Sequence, residues 1–157
     1  MKRVLFVCLG NICRSPTAHG VFQKMVDDAG LTDKIFVDSA GTAAWHIGKS
    51  PDARSTAHAK ARGYNLSALR ARQAVSADFD QFDYVLAMDK ENLSNLQDIC
   101  PNGAMSAPQL FLYEFSRKFN ELEVPDPYYG GEAGFEHVLD LVEDACESLL
   151  ADIKKQL

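Results

Sequence analysis

An unbroken apolar run, Arg3 to Val7 (RVLFV), passes through a short loop into a helical pattern, and this succession governs what the chain can fold into. A short run without polar alternation suits a strand buried on both faces, as in a parallel sheet. From Pro16 onward Ala18, Val21, Phe22, Met25, Val26 and Ala29 recur at helical spacing, and Gly30 closes the helix. Ser15 is the expected N-cap and Pro16 the expected first helical residue. The stretch VCLGNICRSP, Val7 to Pro16, is therefore a strand-to-helix loop.

The alternation continues downstream. KIFVDSAG reads as a second strand, and SPDARSTAHAKARG as a helix capped by Ser50, started by Pro51 and ended by Gly63. FDYVLAM reads as a third strand, followed by a helix from Asp89 to about Ile99. APQLFLY reads as a fourth strand. Phe135, Val138, Leu139, Val142, Ala145, Leu149 and Ile153 mark a long amphipathic helix. Strands alternating with helices predict an α/β fold, a four-stranded parallel sheet with helices on both faces, flavodoxin-like or Rossmann-like. A length of 157 residues fits one domain, residues 1–157, with a core of its own. No repeat or linker interrupts it. The irregular stretch from Ser116 to Gly134 is long for such a domain, and loops of that length are often functional.

Charge and thiols narrow the function classes. A formal net charge of −6 argues against a general nucleic-acid partner, although an anionic substrate still fits a locally positive site. The start MKRVLFVCLGN is basic, but its apolar stretch is too short for a signal peptide and no small-residue cleavage site follows. No run reaches the ~18 apolar residues of a membrane span. The expected location is the cytoplasm, without membrane contact. There the four cysteines are expected to be reduced, with catalytic or packing roles.

In folds of this kind ligands bind beyond the C-terminal ends of the strands, which is where Cys8 sits. The loop from Leu9 to Ser15 leads into a helix N-terminus, so successive backbone N–H groups can cradle an oxyanion with help from the helix dipole. Gly10 and Asn11 tolerate the positive φ this wrapping needs. Arg14 adds a planar bidentate donor. The same donors would stabilise a Cys8 thiolate. Cys-x5-Arg alone is a weak signal. The strand before it, Gly-Asn within it and Ser-Pro after it give it weight, and a plain buried strand-end cysteine would leave Arg14 unexplained.

VCLGNICRSPTA resembles the phosphate-binding signature of the low-molecular-weight protein tyrosine phosphatases. The similarity extends through DSAGTAAWHIG (38–48), RARQ (70–73), FDYVLAMD (82–89) and DPYYGG (126–131). It implies that Cys8 is the nucleophile and that Arg14 and the amides of Leu9, Gly10, Asn11, Ile12 and Cys13 bind the phosphoryl group. It further implies that Ser15 hydrogen-bonds the Cys8 sulfur, that Asn11 holds the loop with support from Ser39, and that Asp126 is the general acid. Taken alone, Asp126-Pro127 reads as an ordinary turn. Trp45, Tyr128 and Tyr129 would line the cleft; a tryptophan in a polar loop between Gly41 and Gly48 is itself suggestive of a site. The resemblance also implies a reversible Cys8–Cys13 disulfide under oxidation, whereas the plainer reading of Cys13 is a small packing residue. Many family members carry a histidine three residues before the arginine of ARQ, where this chain has Leu69, so the hold on Asn11 is left open.

The implied activity is hydrolysis of phosphotyrosine monoesters through a cysteinyl-phosphate intermediate, with no cofactor and no metal. Phosphotyrosine proteins are the implied substrates, family association suggests a tyrosine kinase partner, and inorganic phosphate would occupy the same site. The alternatives are an arsenate reductase of the same fold, a phosphocysteine carrier and a non-catalytic phosphopeptide module. The reductase needs two further redox cysteines after strand three, where MDKENLSNLQDIC offers Cys100 alone. The carrier lacks an Arg14 equivalent. If Asp126 is only a turn residue, Asp89 is the next carboxylate to test. Cys100 and Cys146 read as packing residues. His19, His46, His58 and His137 show no metal-ligand spacing and are expected on surfaces or helix faces.

Overall fold

β1 (Lys2–Cys8) is the spine of the molecule. In this computed structural model every residue except Gly130 is described, and of Tyr129 the backbone alone. The strands are all parallel in the order β2-β1-β3-β4, with β2 at Ile35–Gly41, β3 at Tyr84–Ala87 and β4 at Pro108–Leu110. The register sets Cys8 beside Gly41 and Val7 beside Ala87, so the C-terminal ends of β1, β2 and β3 share one edge.

Period-two alternation sorts β1 between two cores. Val4, Phe6 and Cys8 face one core, built with α1 (Arg14–Asp28), α2 (Ala53–Ala61), α5 (Phe111–Phe115) and α6 (Glu132–Lys154). Leu5 and Val7 face the other, built with α3 (Asp78–Gln81) and α4 (Lys90–Ile99). Phe6 makes edge-on contacts with Phe22 and Phe111 at 5.8 and 5.2 Å between centroids. The expected parallel sheet with helices on both faces is the observed fold. No described helix is long and apolar enough to cross a membrane.

Local expectations fail where another group wins. Ser15 does not cap α1: the helix starts at Arg14, and the Ser15 hydroxyl points to the site instead. Asp52, not Ser50, caps α2, its carboxylate accepting from the amides of Arg54 and Ser55. The apolar run after Pro108 divides into a three-residue strand and α5, because Phe111, Leu112 and Phe115 reach the core at helical spacing. The short helix α3, just before β3, is not among the expected elements; it buries Phe79 in the second core. Within the long irregular stretch, a 3-10 turn covers Pro127–Tyr129 and α6 begins at Glu132.

Candidate active site

β1 delivers Cys8 to the sheet edge, 2 % exposed, and the chain then wraps back over it. Asn11 takes the left-handed backbone at φ 57°. This brings its N–H to within 3.3 Å of the Cys8 sulfur. Gly10 does not need positive φ, contrary to expectation. A Cβ there would lie 2.9 Å from the His46 ring, so a side chain at this position would displace that ring. Gly41 at the end of β2 serves the same loop: a Cβ would lie 2.8 Å from the Leu9 carbonyl. The Thr42 and Ala43 amides, donating to the carbonyls of Cys8 and Leu9, draw the two segments together.

Behind the sulfur, Ser15 Oγ lies 3.1 Å from Cys8 Sγ and 3.3 Å from the Ala40 carbonyl, and it accepts from Asn11 Nδ2 at 2.8 Å. With one lone-pair direction taken by Asn11, its single proton is shared between the sulfur and that carbonyl; a thiolate, the stronger acceptor, would draw it. Asn11 Oδ1 accepts from the Arg72 amide at 3.0 Å. This answers the question left by Leu69: a backbone amide from the ARQ segment holds the loop asparagine, while Leu69 packs against the core. Arg72 is itself fixed by Asp38 and buried Asp78. Ser39, expected to support Asn11, instead pairs with His19 Nδ1 at 3.0 Å. Their geometry explains the difference, since Ser15 and the Arg72 amide already occupy the Asn11 side chain.

Arg14 is 4 % exposed and rigidly aimed. Its Nη1 donates to Asp89 Oδ2 at 2.6 Å and to the Val124 carbonyl at 3.1 Å. Burial opposes the charge, but Cys8, Asp89 and Asp126 outweigh it and hold the guanidinium above its ordinary range. Asp89 also caps α4 through the Asn92 amide at 2.7 Å, so both its oxygens are engaged. Asp126 faces the other side of the guanidinium, Oδ2 lying 3.9 Å from Nη2, while its Oδ1 accepts from the Tyr128 amide at 3.0 Å.

A cleft of about 170 Å³ unites Cys8, Leu9, Gly10, Ile12, Cys13, Arg14, Trp45, Asp126 and Tyr128, and adds His46. Asn11 and Ser15 lie beneath it, Ser39 further back on β2; the Tyr129 side chain lies outside the described residues. Among the described residues, the amides of Leu9, Gly10, Ile12 and Cys13 have no acceptor. They border a cleft with a sulfur at its floor, a guanidinium on its wall and a carboxylate opposite. This set can bind a tetrahedral oxyanion, attack it, and exchange a proton with the group that leaves.

Residues 3–157 match the family described as low molecular weight phosphotyrosine protein phosphatase. The chain belongs to that family. A low molecular weight protein-tyrosine-phosphatase of Bacillus subtilis is 41% identical, with 99% of this chain and 98% of the relative covered. A protein tyrosine phosphatase structure from Entamoeba histolytica, with Hepes in the active site, superposes with a TM-score of 0.94 at 44% identity, covering 99% of each chain. A Drosophila arginine phosphatase superposes with a TM-score of 0.87 at 32% identity, covering 98% of each. The geometry of the cleft also brings in two residues that the sequence pattern does not mark as part of the site. His46, expected with the other histidines on a surface or helix face, lines the cleft, and its signal is its place beside Trp45. Asp89 was read only as a substitute acid; its signal was its position just past β3, the neighbour of β1.

Proposed function

We propose that the chain hydrolyses phosphotyrosine monoesters, with Cys8 as nucleophile, Arg14 and the loop amides as phosphoryl cradle, and Asp126 as general acid. The observation that carries this reading is the Cys8 sulfur at the floor of a cleft whose wall places Asp126 across Arg14. The Cys8 thiolate attacks phosphorus as the bond to the phenol oxygen breaks, and the Asp126 carboxyl gives its proton to that oxygen. Water then attacks the cysteinyl phosphate, the Asp126 carboxylate takes the water proton, and the S–P bond breaks to return the thiolate, which Ser15 steadies. Arg14 and the amides carry the phosphoryl charge throughout, so no metal is required for the step. Trp45, 71% exposed, and Tyr128 offer faces to an aryl ring.

The reading fits a reducing compartment such as the cytoplasm, and a tyrosine kinase or its phosphorylated substrate as partner. Ile12 supports phosphotyrosine over phosphoarginine. Its branched apolar side chain lines the cleft and would leave a guanidinium donor unpaired, which is costly in a dry pocket.

Phosphate release from phosphotyrosine peptide, phosphoarginine and 4-nitrophenyl phosphate, without metal or thiol reductant, tests the proposal. Turnover of phosphotyrosine with a strong preference over phosphoarginine is expected, and Cys8→Ser abolishes it while vanadate still binds. Comparable kcat/KM on phosphoarginine would overturn the specificity, and turnover by Cys8→Ser would overturn the nucleophile.

A further inference from the structure

Arg54 stands outside the machinery described so far, in the first turn of α2, yet its half-exposed guanidinium is held from four directions. Nε and Nη2 reach the two oxygens of Asp52 at 3.4 and 3.3 Å. Nη2 also donates to the Tyr128 carbonyl at 3.2 Å. The guanidinium lies over the rings of Tyr128 and Phe135, 5.4 and 4.9 Å from their centroids. A flat, delocalised cation suits such a place: it stacks with its faces and bonds with its edge, which a lysine cannot do.

What these contacts join matters more than their number. On one side, the Asp52 amide donates to the Ile12 carbonyl at 2.8 Å, so the α2 cap is fixed to the phosphoryl cradle. On the other, the Tyr128 amide holds Asp126 Oδ1, while the Tyr128 carbonyl is held by Arg54. One residue of backbone thus separates the guanidinium from the carboxyl group. Asp126 is itself 35% exposed; Pro125 and Tyr128 are exposed as well, while Val124 and Pro127 are buried, so packing holds the flanking residues and leaves the carboxyl group and the Tyr128 backbone to their hydrogen bonds.

We propose that Arg54 is a positioning residue that ties the Asp126 segment to the cradle and so sets the carboxyl group over the leaving oxygen. The inference rests on the reading of Asp126 as general acid. With Oδ1 occupied by the Tyr128 amide, Oδ2 is the oxygen left to carry the proton. Its reach to the leaving group then depends on where Tyr128 is pinned. A donor displaced by about 1 Å can lose on the order of a hundredfold in rate, and in the step that forms the cysteinyl phosphate the loss falls on leaving groups that need the proton.

The test compares Arg54→Gln, Asp126→Asn and the double variant on phosphotyrosine peptide and on 4-nitrophenyl phosphate, with vanadate inhibition as a measure of the cradle. Arg54→Gln is expected to lower kcat/KM, which reports formation of the cysteinyl phosphate, roughly tenfold on phosphotyrosine and no more than roughly twofold on the nitrophenyl ester, a fraction of the full acid contribution. Vanadate affinity stays unchanged, which also shows that the variant folds. In the Asp126→Asn background the second change adds nothing, because the group it positions is gone. Equal losses of kcat/KM on both substrates, weaker vanadate inhibition or additive losses in the double variant would each overturn the proposal. If Asp126→Asn is selective for the poor leaving group and Arg54→Gln is not, the acid stands and the positioning role falls. If Asp126→Asn shows no selectivity, both fall.

Discussion

Two thiols share the cleft, and their surroundings separate their chemistry. Cys8 accepts from the Asn11 amide and pairs with the Ser15 hydroxyl. Cys13 is 5% exposed, and burial pushes its thiol up to about 12. A disulfide between them would require Cys13 to attack an oxidised Cys8 as thiolate, a form that becomes about tenfold scarcer per pH unit below its pKa. Peroxide inactivation should therefore be poorly reversed by thiol when oxidation is run near pH 7, where over-oxidation competes, and better reversed near pH 8.5. Cys13→Ser should show low recovery at both. The measurement is activity regained with dithiothreitol after timed peroxide exposure, and recovery independent of pH in the unaltered protein would contradict the argument. At this scale the sequence revealed Cys8 and Arg14, because their loop is local. It did not reveal the Asp89 and Val124 partners of Arg14 or the Arg72 amide on Asn11, since each meets its partner across a large sequence separation.

Elements with long periodic runs were legible: β1, α1 and α6 lie where apolar spacing puts them. Ends were not, because capping is settled by competition among nearby polar groups; Asp52 with its two amides displaced Ser50. Least legible was the stretch after α5, which has no period to read. Its start is anchored by buried Asp144 on α6, one oxygen of which accepts from the Ser116 hydroxyl and the amides of Arg117 and Lys118 at 3.0–3.1 Å. Asp144→Ala would leave partly buried donors without an acceptor and should destabilise the protein by roughly 2–4 kcal/mol. Asp144→Asn keeps an acceptor oxygen and should retain most of that stability. Urea unfolding of the two variants checks this, and equal losses would show that the carboxylate's hydrogen bonds to the stretch are not what matters. The long gap between α5 and α6 is thus a fastened segment that brings Val124 and Asp126 to Arg14.

At the scale of the whole molecule, the order β2-β1-β3-β4 places the site where the chain reverses direction across the sheet, on either side of β1. That much follows from the alternation of strands and helices along the sequence. What the pattern could not show is that the packing around β2 partly buries a histidine. His19 lies on α1 against Ser39, and burial lowers its pKa below the usual 6.5, with Asp38 acting more weakly the other way. The folded state therefore prefers neutral His19, while the unfolded chain takes up a proton near pH 6.5. Stability from this group is complete above that value and is lost as pH falls through it toward the lower folded value, because the unfolded state then binds more protons. The carboxylates with lowered pKa, Asp52 and Glu136, act in a more acidic window. His19→Gln keeps a hydrogen-bonding group for Ser39 and removes the titration. Denaturant unfolding at pH 7.5 and pH 5.5 should show the unaltered protein losing more stability on acidification than the glutamine variant. Parallel losses would mean that His19 is accommodated in its charged form and that the acid sensitivity of the fold arises elsewhere.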